Sequence, residues 1–283
     1  MLAGLIWALT ASVLFNVGIV LQAIDARVAP SSLGLRWALL GRLFRRPVWL
    51  VGWVLGTVGI WPQVVSYRHA PFVVVQPALA VGLLLVLLLG AHVLHEHVGF
   101  KDVLGVCAII GGVVLVAWGA PNHTEAHRGW PAVVAVVAVL SLAGLVPFLV
   151  RGTRFDTGML TVIACGCGFA ATNVATKLLG DDFDLGHYAV AIVWCAVGLA
   201  NGAFATLTNM TAFQRKAATV VVPVSTAVQT FLPIVVEPFF LEEHWGSANL
   251  DGVPLFLGLV LACAGSVAVS GSAAVSELFA RAA

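Results

Sequence analysis

The side chains best suited to bind a polar solute are amides that lie inside long apolar runs of the chain. Uncharged amides both donate and accept hydrogen bonds, so they can line a polar path or bond across to a neighbouring helix. The amides that we assign to substrate binding are Asn16, Gln63, Gln76, Asn173, Asn209 and Gln229. The structural alternative, in which an amide only joins two helices, stays open for each of them.

Lys177 and Glu237 are charged side chains that fall within the apolar runs. A charge inside a membrane span is costly to bury and therefore indicates function. Both lie near the ends of their runs, so we predict that they pair as part of a gate. The alternative is that Lys177 extends outward to Asp181 and Asp182.

Four residues of metal-ligand type, His92, His95, Glu96 and His97, cluster at the end of one apolar run. The zinc-binding helix pattern His-Glu-x-x-His is absent, because Gly99 stands where the second histidine is required. We therefore interpret the cluster as a solvated membrane edge and predict no metal site.

The remaining sequence patterns argue against catalysis. The five cysteines, which we interpret as buried structural thiols, are Cys107, Cys165, Cys167, Cys195 and Cys263. The chain has no Gly-x-x-x-x-Gly-Lys phosphate loop and no Gly-x-Ser-x-Gly nucleophile elbow. We predict that the protein is not an enzyme and needs no cofactor.

The composition is that of a membrane protein. Of the 283 residues, 60% are hydrophobic and only 10% are charged, whereas soluble domains carry about 25% charged residues. The first apolar run begins at Met1 without a preceding basic residue, so we expect a retained span rather than a signal peptide. The formal net charge of +1 predicts no nucleic-acid partner.

Runs of about 20 apolar residues, each long enough to cross a bilayer, recur along the chain. The predicted spans are 2–22, 48–67, 71–94, 102–119, 130–150, 158–179, 187–208, 217–241 and 253–274. The fold class that we predict is therefore all-α, a polytopic bundle of nine spans forming a single transmembrane domain over 1–283.

The two ends of this predicted bundle resemble each other. The matched pairs are Gln63 with Asn209, Pro77 with Pro223, Glu96 with Glu242, Asn16 with Asn173, Gly105 with Gly258, and Gly112 with Gly265. We predict a first repeat over 1–119 (spans 1–4), a connecting span over 130–150, and a second repeat over 158–274 (spans 6–9). The single connecting span inverts the second repeat, and inverted repeats hold substrate where they meet, near the bilayer midplane. Gly52 and Gly56 are spaced for close helix packing.

The basic residues predict the orientation in the plasma membrane. Most arginines and lysines fall in the loops that share one side if the N-terminus lies outside. Because basic loops stay in the cytoplasm, we predict an outer N-terminus and a cytoplasmic C-terminus.

The segment Leu33 to Arg46 is too short and too basic to cross the membrane. Its apolar side carries Leu39, Leu40, Leu43 and Phe44, and its basic side carries Arg42, Arg45 and Arg46. This pattern is typical of an interfacial helix on the cytoplasmic leaflet. A plain basic loop is the alternative.

Three motifs carry a family resemblance: Tyr67-x-x-Ala70-Pro71-x-x-x-Val75-x-Pro77, Leu94-x-Glu96, and the glycine-rich helix through Gly111-Gly112. They resemble the drug/metabolite transporter superfamily, and the nine spans and long first loop resemble its NIPA-like branch, which is associated with magnesium transport. The Lys177 of Asn173-Val-Ala-Thr-Lys177 matches a lysine in the second repeat of such proteins.

The chain also departs from that branch. Gly59-Ile60 stands where NIPA-like proteins carry Gly-Glu, and Gln63 replaces the following asparagine. Because Mg²⁺ prefers one or two carboxylates, these residues favour a small polar or amphiphilic organic solute, whereas the resemblance implies Mg²⁺ or another divalent cation.

We expect a secondary transporter that moves this solute by alternating access. One alternative is an exporter or flippase of an amphiphile such as a lipid-linked sugar, which requires an opening toward lipid. Another is a non-transporting membrane subunit, which requires a closed, dry interior. The expected partners are the small solute or ion and the lipid bilayer, and the protein is a monomer or a dimer.

Overall fold

The structure is a computed structural model that describes residues 2–69, 72–119, 130–240 and 249–282, and these residues are helical apart from short connections. The α-helices of this part are α1 (Leu2–Val28), α2 (Trp37–Leu43), α3 (Pro47–His69), α4 (Phe72–Val93), α5 (Phe100–Gly119), α6 (Trp130–Leu149), α7 (Gly158–Asp184), α8 (Tyr188–Arg215), α9 (Ala218–Phe240) and α10 (Val253–Ala282). Two short 3₁₀ helices, Ser31–Leu33 and Asn249–Gly252, lie between them. The all-α fold class is confirmed.

Each predicted span corresponds to one long helix, α1 or one of α3 to α10. The segments of the described chain that are long and apolar enough to cross a membrane are Leu2–Val28, Trp130–Leu149, Gly158–Thr176 and Tyr188–Arg215. Shorter apolar helical segments are Ala78–Val93, Ala218–Pro233 and Val253–Val269. These apolar helices are those of an integral membrane protein.

Helices α1 and α8 continue well beyond their predicted ends, to Val28 and Arg215. The extra turns carry charged side chains that have partners: Asp25 accepts the backbone N–H of Trp49, Arg27 pairs with Glu96, and Arg215 pairs with Asp156. The boundary of an apolar run therefore does not mark the end of the helix here.

Glycines allow the closest helix contacts. A Cβ atom on Gly112 would lie 2.6 Å from the carbonyl oxygen of Gly258, and one on Gly105 would lie 2.8 Å from that of Gly265. Helices α5 and α10 therefore touch through their backbones at two places. In the predicted repeats Gly105 corresponds to Gly258, and Gly112 corresponds to Gly265. In the structure Gly112 contacts Gly258 and Gly105 contacts Gly265, so each glycine touches the counterpart of the other one.

The two glycines of α3 that were predicted to pack closely behave differently. A Cβ atom on Gly52 would lie 2.5 Å from the carbonyl oxygen of Gly18 on α1, so this prediction is confirmed. A Cβ atom on Gly56 would meet nothing within 4 Å, and Gly56 lines a cavity instead. Gly56 still takes part in the contact with α1, because its backbone nitrogen would lie 3.2 Å from a Cβ atom on Gly18, but its own side-chain position faces open space.

Helix α2 confirms a helix within the basic segment, so the plain-loop alternative is wrong. Leu39, Leu40 and Leu43 are buried in the main core of the protein, whereas Phe44 is 47% exposed. The leucines therefore anchor α2 to the bundle, whereas Arg42 on α2 and Arg45 and Arg46 just after it are exposed.

The cysteine prediction is partly wrong. Cys165 and Cys167 are buried, but the outward faces of α5, α8 and α10 carry Cys107, Cys195 and Cys263. Apolar surroundings in the sequence indicated burial, yet the apolar faces of these helices are exposed on the bundle surface.

Candidate functional site

A cavity of about 750 Å³ lies in the centre of the bundle, between α1, α3, α4, α5, α7, α8 and α9. The polar side chains in its wall belong to Asn16, Gln22, Gln63, Asn173, Asn209, Ser225, Thr226, Gln229 and Thr230. Five of the six amides predicted to bind substrate are therefore gathered around one space, from both halves of the chain. The side chain of Gln76, the sixth, lies outside the described residues.

Asn16 is held in the wall by a short chain of hydrogen bonds. Its Nδ2 donates to the carbonyl oxygen of Ser12 at 2.7 Å, and the Ser12 hydroxyl donates to the carbonyl oxygen of Leu79 at 2.7 Å. Gly82 on α4 makes room for this arrangement, because a Cβ atom there would lie 2.0 Å from Asn16 Nδ2. The amide is thus held by a hydrogen bond within α1 and by close packing against α4.

Asn209 has an unsatisfied carbonyl. The residue is only 4% exposed, and its Oδ1 is buried without a hydrogen-bond partner among the described residues. A buried acceptor left without a donor costs about 1–3 kcal/mol. Asn209 also lines the cavity, and a solute that reaches this oxygen and donates a hydrogen bond to it would remove this cost.

Pro233 in α9 adds a backbone acceptor to the same wall. Pro233 has no N–H, so it cannot donate the usual helical hydrogen bond to the carbonyl of Gln229 four residues earlier. Both residues line the cavity. The freed carbonyl is an additional group that can bind a polar solute.

The described wall contains no ionisable side chain. Its other residues are mainly apolar and include Phe15 and Phe169. The described part of the chain also holds no group of three or more His, Cys, Asp and Glu that could bind a metal ion. The cavity therefore combines amides, hydroxyls and aromatic rings without formal charge.

At one end of the bundle, the two halves of the chain are joined by contacts of Glu96. Glu96 accepts the backbone N–H groups of Ala218 (2.6 Å) and Thr219 (2.8 Å), the first residues of α9. Arg27, at the end of α1, pairs with the same carboxylate. A carboxylate at a helix N-terminus is favourable because it neutralises free N–H groups and the positive end of the helix dipole. We call this end of the bundle, which contains Arg27, Glu96 and the start of α9, the basic end.

Gly90 makes the contact at α9 possible. A Cβ atom on Gly90 would lie 2.4 Å from Thr219 Cγ2 and 3.2 Å from Glu96 Oε2. The Glu96 side chain is only 5% exposed. The interpretation of Glu96 as part of a solvated edge is therefore wrong, whereas His92, His95 and His97 are exposed as that interpretation requires.

Further contacts join the halves at the basic end. The indole N–H of the fully buried Trp49 donates to Met210 Sδ at 3.1 Å. The backbone N–H of Leu35 donates to the Thr211 hydroxyl at 2.9 Å. Because Met210 and Thr211 directly follow the cavity residue Asn209, these contacts lie immediately beyond the cavity wall.

The two residues predicted to form a gate, Lys177 and Glu237, have side chains outside the described residues, so their pairing stays a prediction. Sequence reasoning missed Gln22 and Thr230 in the wall, Gly82 behind Asn16, and the capping of α9 by Glu96. The position of Thr230, four residues after Thr226 and therefore on the same helix face, could have indicated that Thr230 lines the cavity.

Comparison with known families gives one match. The family described as "Magnesium transporter NIPA" matches residues 1–151, which is more than half of the chain. No curated protein matches this chain. No solved structure matches it either.

Proposed function

This chain belongs to the magnesium transporter NIPA family, and we propose that it is a membrane transporter whose central cavity carries a small, uncharged or zwitterionic polar solute. The observation that carries the proposal is the uncharged amide wall around about 750 Å³ of space. Amides and hydroxyls hydrogen-bond a neutral solute well. They do not compensate a dehydrated dication, for which proteins usually supply carboxylates.

Mg²⁺ is the second candidate, and the family match favours it. Mg²⁺ is usually bound with several of its waters retained. Amide oxygens such as that of Asn209 could accept hydrogen bonds from those waters inside the cavity. The two candidates differ in whether the cargo needs a positive charge.

We further propose that nine helices cross the plasma membrane as two inverted four-helix repeats, with the basic end in the cytoplasm and the N-terminus outside. The paired glycine contacts between α5 and α10 support this arrangement. If a two-fold axis relates the repeats, it turns the contact of Gly112 with Gly258 into the contact of Gly265 with Gly105. The position of the basic residues supports the orientation. Inverted repeats commonly transport by alternating access.

In this mechanism the basic end is a closed gate. The contacts of Glu96 with Arg27 and with α9 join the two halves there. Helix α9 also carries Ser225, Thr226 and Gln229 of the cavity wall. Opening the cavity toward the basic end requires α9 to leave Glu96, and the predicted Lys177–Glu237 pair would close the opposite end. A polar cavity of this size also argues against a non-transporting subunit with a dry interior.

A thermal-shift screen of the purified protein tests the cargo. We expect saturable stabilisation by a neutral or zwitterionic metabolite, and loss of that stabilisation in Asn209→Leu. Asn201→Leu is the matched control, because Asn201 lies on the same helix and donates to the carbonyl of Val197 outside the cavity wall. Stabilisation by millimolar Mg²⁺ alone, removed by Asn209→Leu, would favour the second candidate. Responses that are equal in both variants would contradict a solute site in the cavity.

A further inference from the structure

A concave surface of about 610 Å³ lies beside α2 at the basic end, apart from the central cavity. Its lining residues are Leu33, Ala38, Gly41, Arg42, Arg45 and Arg46. We call this surface the arginine pocket. No part of the transport mechanism above uses it.

The arginine pocket has a fixed backbone. Leu39, Leu40 and Leu43 are buried in the protein core, so α2 cannot rotate to hide its other face. Arg42 and Arg45 are three residues apart and therefore project from the same face of the chain as it leaves the helix. A Cβ atom on Gly41 would meet nothing within 4 Å, which leaves room beside the guanidinium groups.

The positive charge of the arginine pocket is poorly compensated. Among the described residues, neither Arg42 nor Arg45 has an acidic partner, and both are exposed. Arg46 approaches Asp25 only to 3.9 Å, and the other oxygen of that carboxylate accepts the backbone N–H of Trp49. Guanidinium groups bind phosphate through paired hydrogen bonds, so the pocket is suited to a phosphate-bearing anion.

The surroundings indicate that this anion is a lipid headgroup. Trp37, Phe44 and Trp53 near the arginine pocket are exposed by 52%, 47% and 44%, respectively. Exposed aromatic side chains beside an apolar helix mark the boundary between the bilayer and water. Val51 and Val54 on α3 are also exposed, and they extend this apolar surface along the helix.

From these observations we propose that the arginine pocket binds the phosphate of an anionic phospholipid, whose acyl chains then lie along α3. Basic pockets at the membrane surface attract anionic lipids through charge, and here the exposed apolar side of α3 accommodates the chains. The site is separate from the cargo site, so the proposal holds for either candidate cargo.

The test uses short-chain phosphatidylglycerol, short-chain phosphatidylcholine and inorganic phosphate, each titrated into the purified protein in neutral detergent while the melting temperature is recorded. We expect saturable stabilisation by phosphatidylglycerol, at least a tenfold higher half-saturating concentration in Arg42→Gln/Arg45→Gln, and a smaller effect of phosphatidylcholine. Arg151→Gln/Arg154→Gln is the control, because it removes the same charge from exposed positions in another loop. It should stay within twofold of the wild type.

Other outcomes would overturn the proposal. Equal stabilisation by the two lipids would exclude headgroup recognition. An equal rise of the half-saturating phosphatidylglycerol concentration in Arg42→Gln/Arg45→Gln and in Arg151→Gln/Arg154→Gln would indicate only a general charge effect. Saturation by inorganic phosphate at the same concentration as the lipid would indicate a site for free phosphate. Arg42→Lys/Arg45→Lys keeps the charge and loses the paired hydrogen bonds. Its half-saturating concentration of phosphatidylglycerol should lie between those of the wild type and the glutamine variant.

Discussion

The Glu96 carboxylate accepts the backbone N–H of Thr219 at 2.8 Å, so a side chain of the first half of the chain caps a helix of the second half. This contact is long-range in sequence and nearly excluded from solvent. Because α9 carries much of the cavity wall, the cap couples the basic end to the candidate site.

Replacing Glu96 by glutamine should open the basic end. The amide keeps the size of the side chain but loses the charge that holds Arg27 and one of the two acceptor oxygens facing α9. We expect faster maleimide labelling of a Gln22→Cys reporter, applied from the side of Arg27, in a background without the native cysteines.

Asp156→Asn is the matched control for this experiment. Asp156 also forms an ion pair near the basic end, with Arg215 at 2.5 Å. Both partners of this pair belong to the second half of the chain. Labelling should therefore stay at the wild-type rate in this variant. Equal labelling of wild type and Glu96→Gln would mean that Glu96 does not hold the gate.

Gly82→Ala should damage the site through Asn16. The added methyl carbon would lie 2.0 Å from Asn16 Nδ2 and 2.2 Å from the Ser12 hydroxyl oxygen, so the amide must move. Overpacking of this kind costs about 1–3 kcal/mol. We expect a lower melting temperature and loss of solute stabilisation. Gly56→Ala, which adds a methyl group to open space in the same cavity, should keep the wild-type melting temperature. Equal melting temperatures of Gly82→Ala and Gly56→Ala would contradict the close packing of Gly82 against Asn16.

Gly112→Ala should separate α5 from α10. Its methyl carbon would lie 2.6 Å from the carbonyl oxygen of Gly258, and backbone atoms cannot rotate away as a side chain can. The neighbouring Gly111→Ala meets only the end of Leu261, at 3.2 Å, and should be tolerated. Melting temperatures of the two variants measure the difference, and a larger loss in Gly111→Ala would contradict the close contact.

Asp156 should make stability depend on acidic pH. Partial burial raises the pKa of its carboxyl, but hydrogen bonds from Arg215 and Gly152 and the charges of Arg215 and Arg151 hold that pKa below its ordinary value of 3.8. A lowered pKa in the folded state stabilises the protein above about pH 4. The contribution disappears as the pH falls through the folded-state pKa.

Melting temperatures measured between pH 3 and 6, a range of about one unit below to two units above the ordinary carboxyl pKa, check this prediction. The wild type should lose more stability than Asp156→Asn at the acidic end of that range. Parallel curves would show that the Arg215 pair contributes nothing to stability.

Much of the helical architecture could be predicted because apolar runs and helix length are local properties. The convergence of Asn16, Gln63, Asn173, Asn209 and Gln229 on one cavity followed from their positions along predicted spans. Their role in solute binding stays a prediction.

The contacts between distant helix ends could not be predicted in this way. Glu96 lies among exposed histidines in the sequence, and nothing local indicates that it reaches the start of α9. Gly82 and Gly56 are both glycines near the cavity, but only the packing of α1 against α4 decides which one tolerates a methyl group. Such features depend on the three-dimensional arrangement rather than on composition or spacing.

Transport by the purified protein in liposomes is the most direct measurement of what the cavity does. The neutral or zwitterionic solute that stabilises the protein should enter liposomes containing the wild type and Asn201→Leu, but not those containing Asn209→Leu. A Mg²⁺-sensitive dye inside the same liposomes should stay unchanged. Mg²⁺ entry that persists in Asn209→Leu, without movement of any neutral solute, would contradict the proposed role of the amide-lined cavity.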